Sequence, residues 1–244
     1  MLKTKTLAAV AAALILASTI TACSVVRHAA EDAASQARQA AQSASSAAPA
    51  GPAPAAAAGS VVVANGHGWT ASGLDGTIPA SGACHVGGSA TGGELPDATC
   101  TPGSVDATVT QSNISTTLGR SGGYTSSVRP PEAMTESAKR QLMAAYGIPW
   151  SEARGYELDH LVPLCAGGSS DVRNLWPEKN DFLAGDGGPS SYVHNSKDRV
   201  EAYVCSAIRS GQAPLGPAQQ AMASNWTSAV ATLKLPPIPS GYQG

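Results

Sequence analysis

Asp159 and His160 stand side by side near the end of a short segment in which apolar and polar residues alternate. A carboxylate is a hard oxygen ligand for a divalent cation, and an imidazole is a base that works near neutral pH. Asn174 follows fourteen residues after the histidine and is able to hold the imidazole in one orientation. These residue types are those that metal-assisted hydrolysis of a phosphodiester bond requires.

The backbone must turn close to this pair if both side chains are to reach one metal ion and one scissile bond. Along an extended strand, Asp159 and His160 point to opposite faces. Pro163 and the neighbouring glycines Gly167 and Gly168 predict a turn shortly after the pair. Trp176 is interpreted as an apolar core residue that anchors this turn.

The rest of the pattern predicts an α+β fold with three helices. They are expected over residues 131–146, 195–210 and 217–233, from apolar residues at helical spacing and from glycines that end the first two. Residues 122–131 are predicted to be extended because two prolines close the segment. Residues 61–100 are rich in Gly, Ser and Thr and predict an irregular or short-stranded extension, followed by the main domain over residues 101–240.

The N-terminus has the pattern of an export signal. Residues 1–22 combine two early lysines with an apolar run that is too short to span a bilayer. The run leads through small residues into Cys23, which resembles the lipobox of bacterial lipoproteins, where the cysteine is lipidated. The alternative is an ordinary signal peptide cleaved after Ala22. Residues 23–60 are mostly Ala, Ser and Pro and predict a disordered tether.

Four further cysteines remain after Cys23, an even number in an exported chain, so disulfides are expected. Four cysteines allow three pairings, and the sequence does not decide among them. Cys84 with Cys100 and Cys165 with Cys205 are favoured, the first as a local loop and the second as a link from the segment after His160 to a later helix. A zinc site is the weaker alternative, because no pair has the short spacing of structural zinc ligands.

The charge of the chain is low and nearly balanced. Fifteen Lys and Arg residues stand against seventeen Asp and Glu residues, which gives a formal net charge of −2. Domains that bind nucleic acid are usually basic, so the composition argues against tight non-specific binding of DNA. A bound divalent cation or a local cluster of basic residues would have to compensate.

The chain resembles the HNH nucleases, which share a ββα-metal site. It is more closely similar to a group of small exported bacterial proteins of that type. The resemblance covers most of the chain after residue 100. It rests on "ELDHLVPL", Gly167-Gly168, "NLWPE", "KDRVE" and "YVCS" in this order. It implies an HNH-type ββα-metal core with additional helices.

The resemblance also implies roles for individual residues. Asp159 would bind one divalent cation (Mg²⁺, Mn²⁺ or Zn²⁺), His160 would be the general base that activates water, and Asn174 would fix the histidine ring through a hydrogen bond. A further metal ligand is expected at the start of the last helix of the motif, where His194 and Asn195 stand side by side. Either of these two residues fits the spacing, and the sequence leaves the choice open.

Two functions of different classes follow. The first is a metal-dependent HNH-type endonuclease that acts on nucleic acid outside the cytoplasm, with DNA favoured over RNA, and that is anchored to a membrane through Cys23. The second is an envelope lipoprotein that keeps a degenerate HNH fold as a binding scaffold without turnover. The position of the further ligand relative to Asp159 discriminates between them.

Overall fold

The computed structural model describes residues 60–181 and 195–242, and within them the chain folds as the α+β protein that the sequence predicts. The strands of this part are short: β1 Val62–Ala64, β2 Trp69–Thr70, β3 Gly73–Leu74, β4 Gly87–Gly88, β5 Glu94–Leu95, β6 Ser104–Asp106, β7 Tyr156–His160 and β8 Leu175–Lys179. The helices are α1 Tyr124–Val128, α2 Glu132–Ala145, α3 Ser196–Arg209, α4 Leu215–Asn225 and α5 Ala229–Thr232.

Strands β7 and β8 form an antiparallel pair that is the longest in the described part of the chain. Asp159 lies opposite Trp176, and His160 lies opposite Leu175. Residues 161–174 connect the two strands through two short 3-10 turns, and helix α3 is the next regular element described along the chain. The order of the motif is therefore strand, loop, strand, helix.

The two faces of this strand pair meet different partners because side chains alternate along a strand. Leu158 and Leu175 belong to an apolar cluster with Leu142 of helix α2. On the opposite face, Asp159 contacts Lys197 of helix α3. The strand pair is thus held between α2 and α3, with His160 on one side and Asp159 on the other.

Local sequence explains where these helices begin and end. Helix α2 starts directly after Pro131 and is followed by Gly147, which has a φ of +69°. Helix α3 begins with a capping box, in which Asn195 caps the first turn and Asp198 accepts from the Asn195 backbone N–H. Both lie within a residue or two of the predicted ranges.

Two other predictions about local structure are wrong. Tyr124–Val128 is a short helix and not an extended segment, and Arg129 then takes extended backbone before the prolines. The predicted helix over residues 217–233 starts earlier, at Leu215, and breaks at Asn225, whose side chain accepts from the backbone N–H of Thr227. This local hydrogen bond competes with the helix and starts a 3-10 turn.

Both favoured disulfides are formed, Cys84–Cys100 and Cys165–Cys205. The second joins the loop after β7 to helix α3 across 40 positions of sequence. Persistent disulfides indicate an oxidising, extracytoplasmic compartment. Among the described residues, no helix is long and apolar enough to cross a membrane.

The Gly-rich extension is packed against the main domain. Strand β1 pairs in parallel with β6. Gly68, with a φ of +81°, lies so close to the loop after β7 that an added Cβ would come within 2.2 Å of the Asp171 backbone nitrogen. The extension therefore supports the loop that leads from His160 to Asn174.

Candidate active site

His160 is the last residue of β7, and its ring is buried. Its Nε2 lies 2.9 Å from the Ser170 hydroxyl, ten residues further along the connecting loop. Burial lowers the pKa of the imidazole to about 4, with the positive charges of Arg129 and Lys197 adding to the effect and the negative charge of Asp159 opposing it. The ring is consequently neutral at pH 7.

Asn174 has a different role from the predicted one. Its side chain is fully buried and is saturated by backbone groups: Oδ1 accepts from the N–H of Val162 and Ser104, and Nδ2 donates to the carbonyls of Val162 and Ser169. We expected a hydrogen bond from Asn174 to the ring of His160. The hydroxyl of Ser170 takes that place, and Asn174 closes the loop instead.

The glycines in this loop allow a close approach of two backbone segments. An added Cβ on Gly168 would stand 1.8 Å from the Val162 carbonyl oxygen, which leaves no room for any other residue. Gly167 has a φ of +75°, a conformation that other residues rarely adopt. The predicted turn is confirmed, and it follows His160 instead of interrupting the strand.

Asp159 points away from the His160 ring and into an ion-pair network. Its Oδ2 accepts from the Trp176 indole at 3.0 Å and from the Lys197 ammonium at 2.7 Å. The same ammonium donates to the His160 carbonyl at 3.0 Å and contacts the carboxylate of Glu201. Lys197 is 1% exposed, so it is a buried cation.

More carboxylates crowd this face than one lysine neutralises. Burial and repulsion from Asp159 raise the pKa of Glu178 well above its ordinary value. Burial, and then repulsion from Asp159 and Asp198, raises the pKa of Glu157 to about 7. Burial raises the pKa of Glu201 to about 8, although Lys197 opposes the shift.

Burial and the neighbouring charges also act on the pKa of Lys197, but in opposite directions. Burial lowers the pKa of Lys197, but attraction to Asp159, Glu201 and Glu178 outweighs burial and keeps the pKa above its ordinary value. The ammonium is thus charged at neutral pH. Its charge is therefore a fixed part of the site.

Asn195 makes its side-chain hydrogen bonds to residues other than Asp159. Its amide donates to Glu157 and to Asn180, and its Oδ1 accepts from the Asp181 backbone N–H at 2.8 Å. All of the polar atoms of this side chain are thus in use around the helix cap. The other predicted ligand, His194, lies outside the described residues, as does Cys23.

The contacts of Asp159, Asn195 and His160 bear on the predicted divalent metal site. Asp159 Oδ2 accepts from an indole and an ammonium, the Asn195 amide donates to Glu157, and the His160 ring lies across the strand. Within residues 60–181 and 195–242, no group of three or more His, Cys, Asp or Glu side chains is placed to hold one metal ion. Of the predicted ligands, Asp159 Oδ2 and Asn195 are engaged by other side chains, and His194 lies outside the described residues.

A cleft of about 350 Å³ opens beside His160. Its lining includes three carboxylates of the crowded face, Glu157, Asp159 and Glu201, and two guanidinium groups, those of Arg129 and Arg209. The disulfide cysteines Cys165 and Cys205 form part of the wall. Arg129 also lines a second cleft on the other side of β7, together with His160 and Ser170.

Several of these residues were not identified from the sequence. Lys197 and Glu201 are separated by four positions on one helix, which is the spacing of an ion pair, but nothing local indicates burial. Ser170 carries no signal apart from its place in the loop. Outside this site, His67 of the extension is paired with the buried carboxylate of Asp106.

Comparison of the chain with protein-family models, with curated proteins and with solved structures gave no match.

Proposed function

We propose that the protein is an exported nuclease of HNH type that hydrolyses phosphodiester bonds of nucleic acid. The observation that carries the proposal is the order of elements around His160. A strand ends in the Asp-His pair, a loop closed by Asn174 returns as a second strand, and helix α3 follows, cross-linked to the loop by Cys165 and Cys205. This order agrees with the sequence resemblance to the HNH nucleases.

His160 is the general base of the proposed reaction. A neutral imidazole takes the proton from a water molecule as the water attacks phosphorus. When Nε2–H donates to the Ser170 hydroxyl, Nδ1 is the nitrogen that accepts this proton. Ser170 then sets the tautomer of the ring, the role that we had expected for Asn174.

Arg129 is the proposed phosphate ligand. It is exposed and lines both clefts beside His160. A guanidinium pairs with two phosphate oxygens at once and stabilises the charge that develops on them in the transition state. No step is assigned to a metal ion, because Asp159 Oδ2 is engaged by the Lys197 ammonium and the Trp176 indole.

The substrate and the location remain proposals that follow from the sequence. Nucleic acid, with DNA favoured, is the substrate class that the HNH resemblance implies. The nearly balanced charge predicts weak binding that depends on Arg129 rather than on a broad basic surface. Lipidation at Cys23 would hold the enzyme at a membrane, on the side where its disulfides persist.

The nuclease test uses the chain without residues 1–23, supercoiled plasmid DNA, and separate reactions with Mg²⁺, Mn²⁺, Zn²⁺ or EDTA. We expect nicking that His160→Ala reduces by at least about 100-fold, the usual contribution of a general base. His85→Ala is the matched control, because this histidine side chain is 82% exposed and pairs with Asp97. Folded protein that nicks no DNA in any of the reactions would contradict the proposal.

A binding scaffold is the second candidate, and one observation favours it: the Asp159 carboxylate is already neutralised by Lys197. Such a protein would bind an oligonucleotide without cutting it. Fluorescence anisotropy with a labelled single strand and a labelled duplex separates the two candidates. Saturable binding that Arg129→Ala weakens, without product on a gel, would favour the scaffold.

A further inference from the structure

The Lys197 ammonium has the contacts of a bound cation. It donates to Asp159 Oδ2 at 2.7 Å and to the His160 carbonyl at 3.0 Å, and it contacts the Glu201 carboxylate. An ammonium has three N–H donors, so these oxygens use all of them. The lysine side chain is 1% exposed, which makes this a desolvated ion pair network and not a surface contact.

The position of the ammonium is the second observation. Asp159 and the His160 carbonyl belong to strand β7, whereas Glu201 lies one turn further along the helix that carries Lys197. The charge therefore lies between the strand and the helix. This is the place where the HNH resemblance expects a metal ion, between the strand aspartate and the start of the last helix.

We propose that the Lys197 ammonium is the resident cation of this site and takes the place of a divalent metal ion at Asp159. The consequence for catalysis rests on the proposed nuclease function: hydrolysis at His160 then needs no added metal. The consequence for stability does not depend on that function. Lys197 acts as a positioning residue, because its buried ammonium reaches the backbone of His160 but not the cleft.

Competition with a metal ion explains why the lysine retains the site. A divalent cation would have to displace the ammonium from Asp159 and leave it buried with the Glu201 carboxylate as its remaining ion pair, or else move the lysine out of the core. Either change is unfavourable, because the loss of one partner from a buried ion-pair network is strongly destabilising. The Trp176 indole donates to the same oxygen, so a cation at Asp159 Oδ2 would have to displace this hydrogen bond as well.

The first test is a titration of the full-length protein, purified in detergent, with Mg²⁺, Mn²⁺, Ca²⁺ or Zn²⁺. The readouts are Tm and tryptophan fluorescence, since Trp176 donates directly to Asp159. We expect no saturable response from Asp159. A saturable response that is abolished by Asp159→Asn would overturn the proposal. A saturable response that Asp159→Asn leaves unchanged comes from a metal site elsewhere in the protein, and it agrees with the proposal.

The second test removes the resident cation. Lys197→Ala should lower Tm by on the order of 10 °C. It should also create a divalent-cation site, so that millimolar Mg²⁺ or Ca²⁺ restores several degrees of the loss and leaves wild-type Tm unchanged. Lys179→Ala is the matched control, because Lys179 ends strand β8 and is exposed. A purely structural lysine would give the loss without the cation-dependent recovery, and that result would contradict the proposal.

If Lys197→Ala does not fold, the double variant Lys197→Ala/Glu201→Gln removes one of the carboxylates that the lysine neutralises. The same recovery by a divalent cation is expected, through Asp159 and Glu178. Its absence in the folded double variant counts against the proposal.

Activity gives the third readout. Nicking that is equal in EDTA and in Mg²⁺ supports the proposal, and nicking that needs an added metal ion overturns it. Absence of nicking in every reaction would contradict only the proposed nuclease function. The Tm and fluorescence results would still decide whether Lys197 is the resident cation.

Discussion

At the scale of single residues, the site depends on how buried polar groups are satisfied. Asn174 uses all of its hydrogen-bonding capacity on backbone groups of the loop, and Lys197 uses all three of its donors on oxygens of β7 and α3. A buried donor or acceptor without a partner costs about 1–3 kcal/mol. Substitution of either residue therefore affects the geometry of His160 without touching its ring.

Asn174→Ala is expected to lower the free energy of unfolding by about 3–5 kcal/mol, because several buried backbone groups lose their partners at once. Urea denaturation measures the change. Asn180→Ala is the control, since the amide contacts of Asn180 are long, at 3.4 Å. An equal decrease in the free energy of unfolding for the two variants would contradict the prediction that Asn174 stabilises the loop.

Glu157 should make stability depend on pH. Its folded pKa of about 7 lies above the ordinary value of 4.5, because of burial and of repulsion from Asp159 and Asp198. A raised carboxyl pKa stabilises the fold below pH 4.5, and this contribution is lost as the pH rises through 7. We expect Glu157→Gln to become more stable than wild type by up to about 3 kcal/mol between pH 5 and pH 8.

Urea titrations of wild type and Glu157→Gln at the two pH values measure this difference. The difference between the two proteins isolates Glu157, because Glu201 and His160 titrate in both. A gap in stability that stays constant from pH 5 to pH 8 would mean that Glu157 titrates at its ordinary pKa.

At the scale of elements, the strand pair and helix α3 are held together by two kinds of link. The ion pairs of Lys197 join α3 to β7, and the disulfide joins it to the loop after β7. Helix α2 supports the other face through Leu142. The site is thus fixed from both sides, which suits a histidine that must keep one orientation.

Removal of the Cys165–Cys205 disulfide, by Cys165→Ala/Cys205→Ala, should lower the free energy of unfolding by about 4 kcal/mol, because the bond closes a loop of 40 residues. The loss for Cys84→Ala/Cys100→Ala should be smaller, about 3 kcal/mol, since that loop spans 16 positions. Denaturation curves compare the two. Cys165 and Cys205 also line the cleft, so their replacement should reduce nicking, whereas replacement of Cys84 and Cys100 should not. A larger loss of nicking for the Cys84/Cys100 variant would contradict this prediction.

At the scale of the whole molecule, the N-terminal extension belongs to the folded part of the chain. Strand β1 pairs with β6, and Gly68 packs on the backbone of Asp171. The region before residue 60 lies outside the described residues, and lipidation at Cys23 stays a prediction from the sequence. The disulfides agree with export.

Cys23→Ser is expected to move the protein from the membrane fraction to the soluble extracytoplasmic fraction when it is expressed in a bacterium. Labelled palmitate should be incorporated into wild type and not into the variant. A cleaved, soluble wild-type protein without label would instead support an ordinary signal peptide.

The sequence by itself determined the features that depend on local pattern. Helices α2 and α3 were predicted from the spacing of apolar residues and from the glycines and prolines that bound them. Strand β7 was predicted from alternating apolar and polar residues, and the turn after it from Gly167 and Gly168. The cysteine count predicted disulfides, and the favoured pairing is the one that forms. The α+β class followed from these elements.

The tertiary structure alone decided the partners of the polar residues. Asn174 binds backbone groups that are twelve and seventy positions away, and Lys197 reaches a strand that is nearly forty positions earlier. No local period encodes such contacts, because they depend on how α3 packs against the strand pair. For that physical reason the sequence indicated Asp159 as a metal ligand, whereas the packed structure surrounds it with an indole and a buried ammonium.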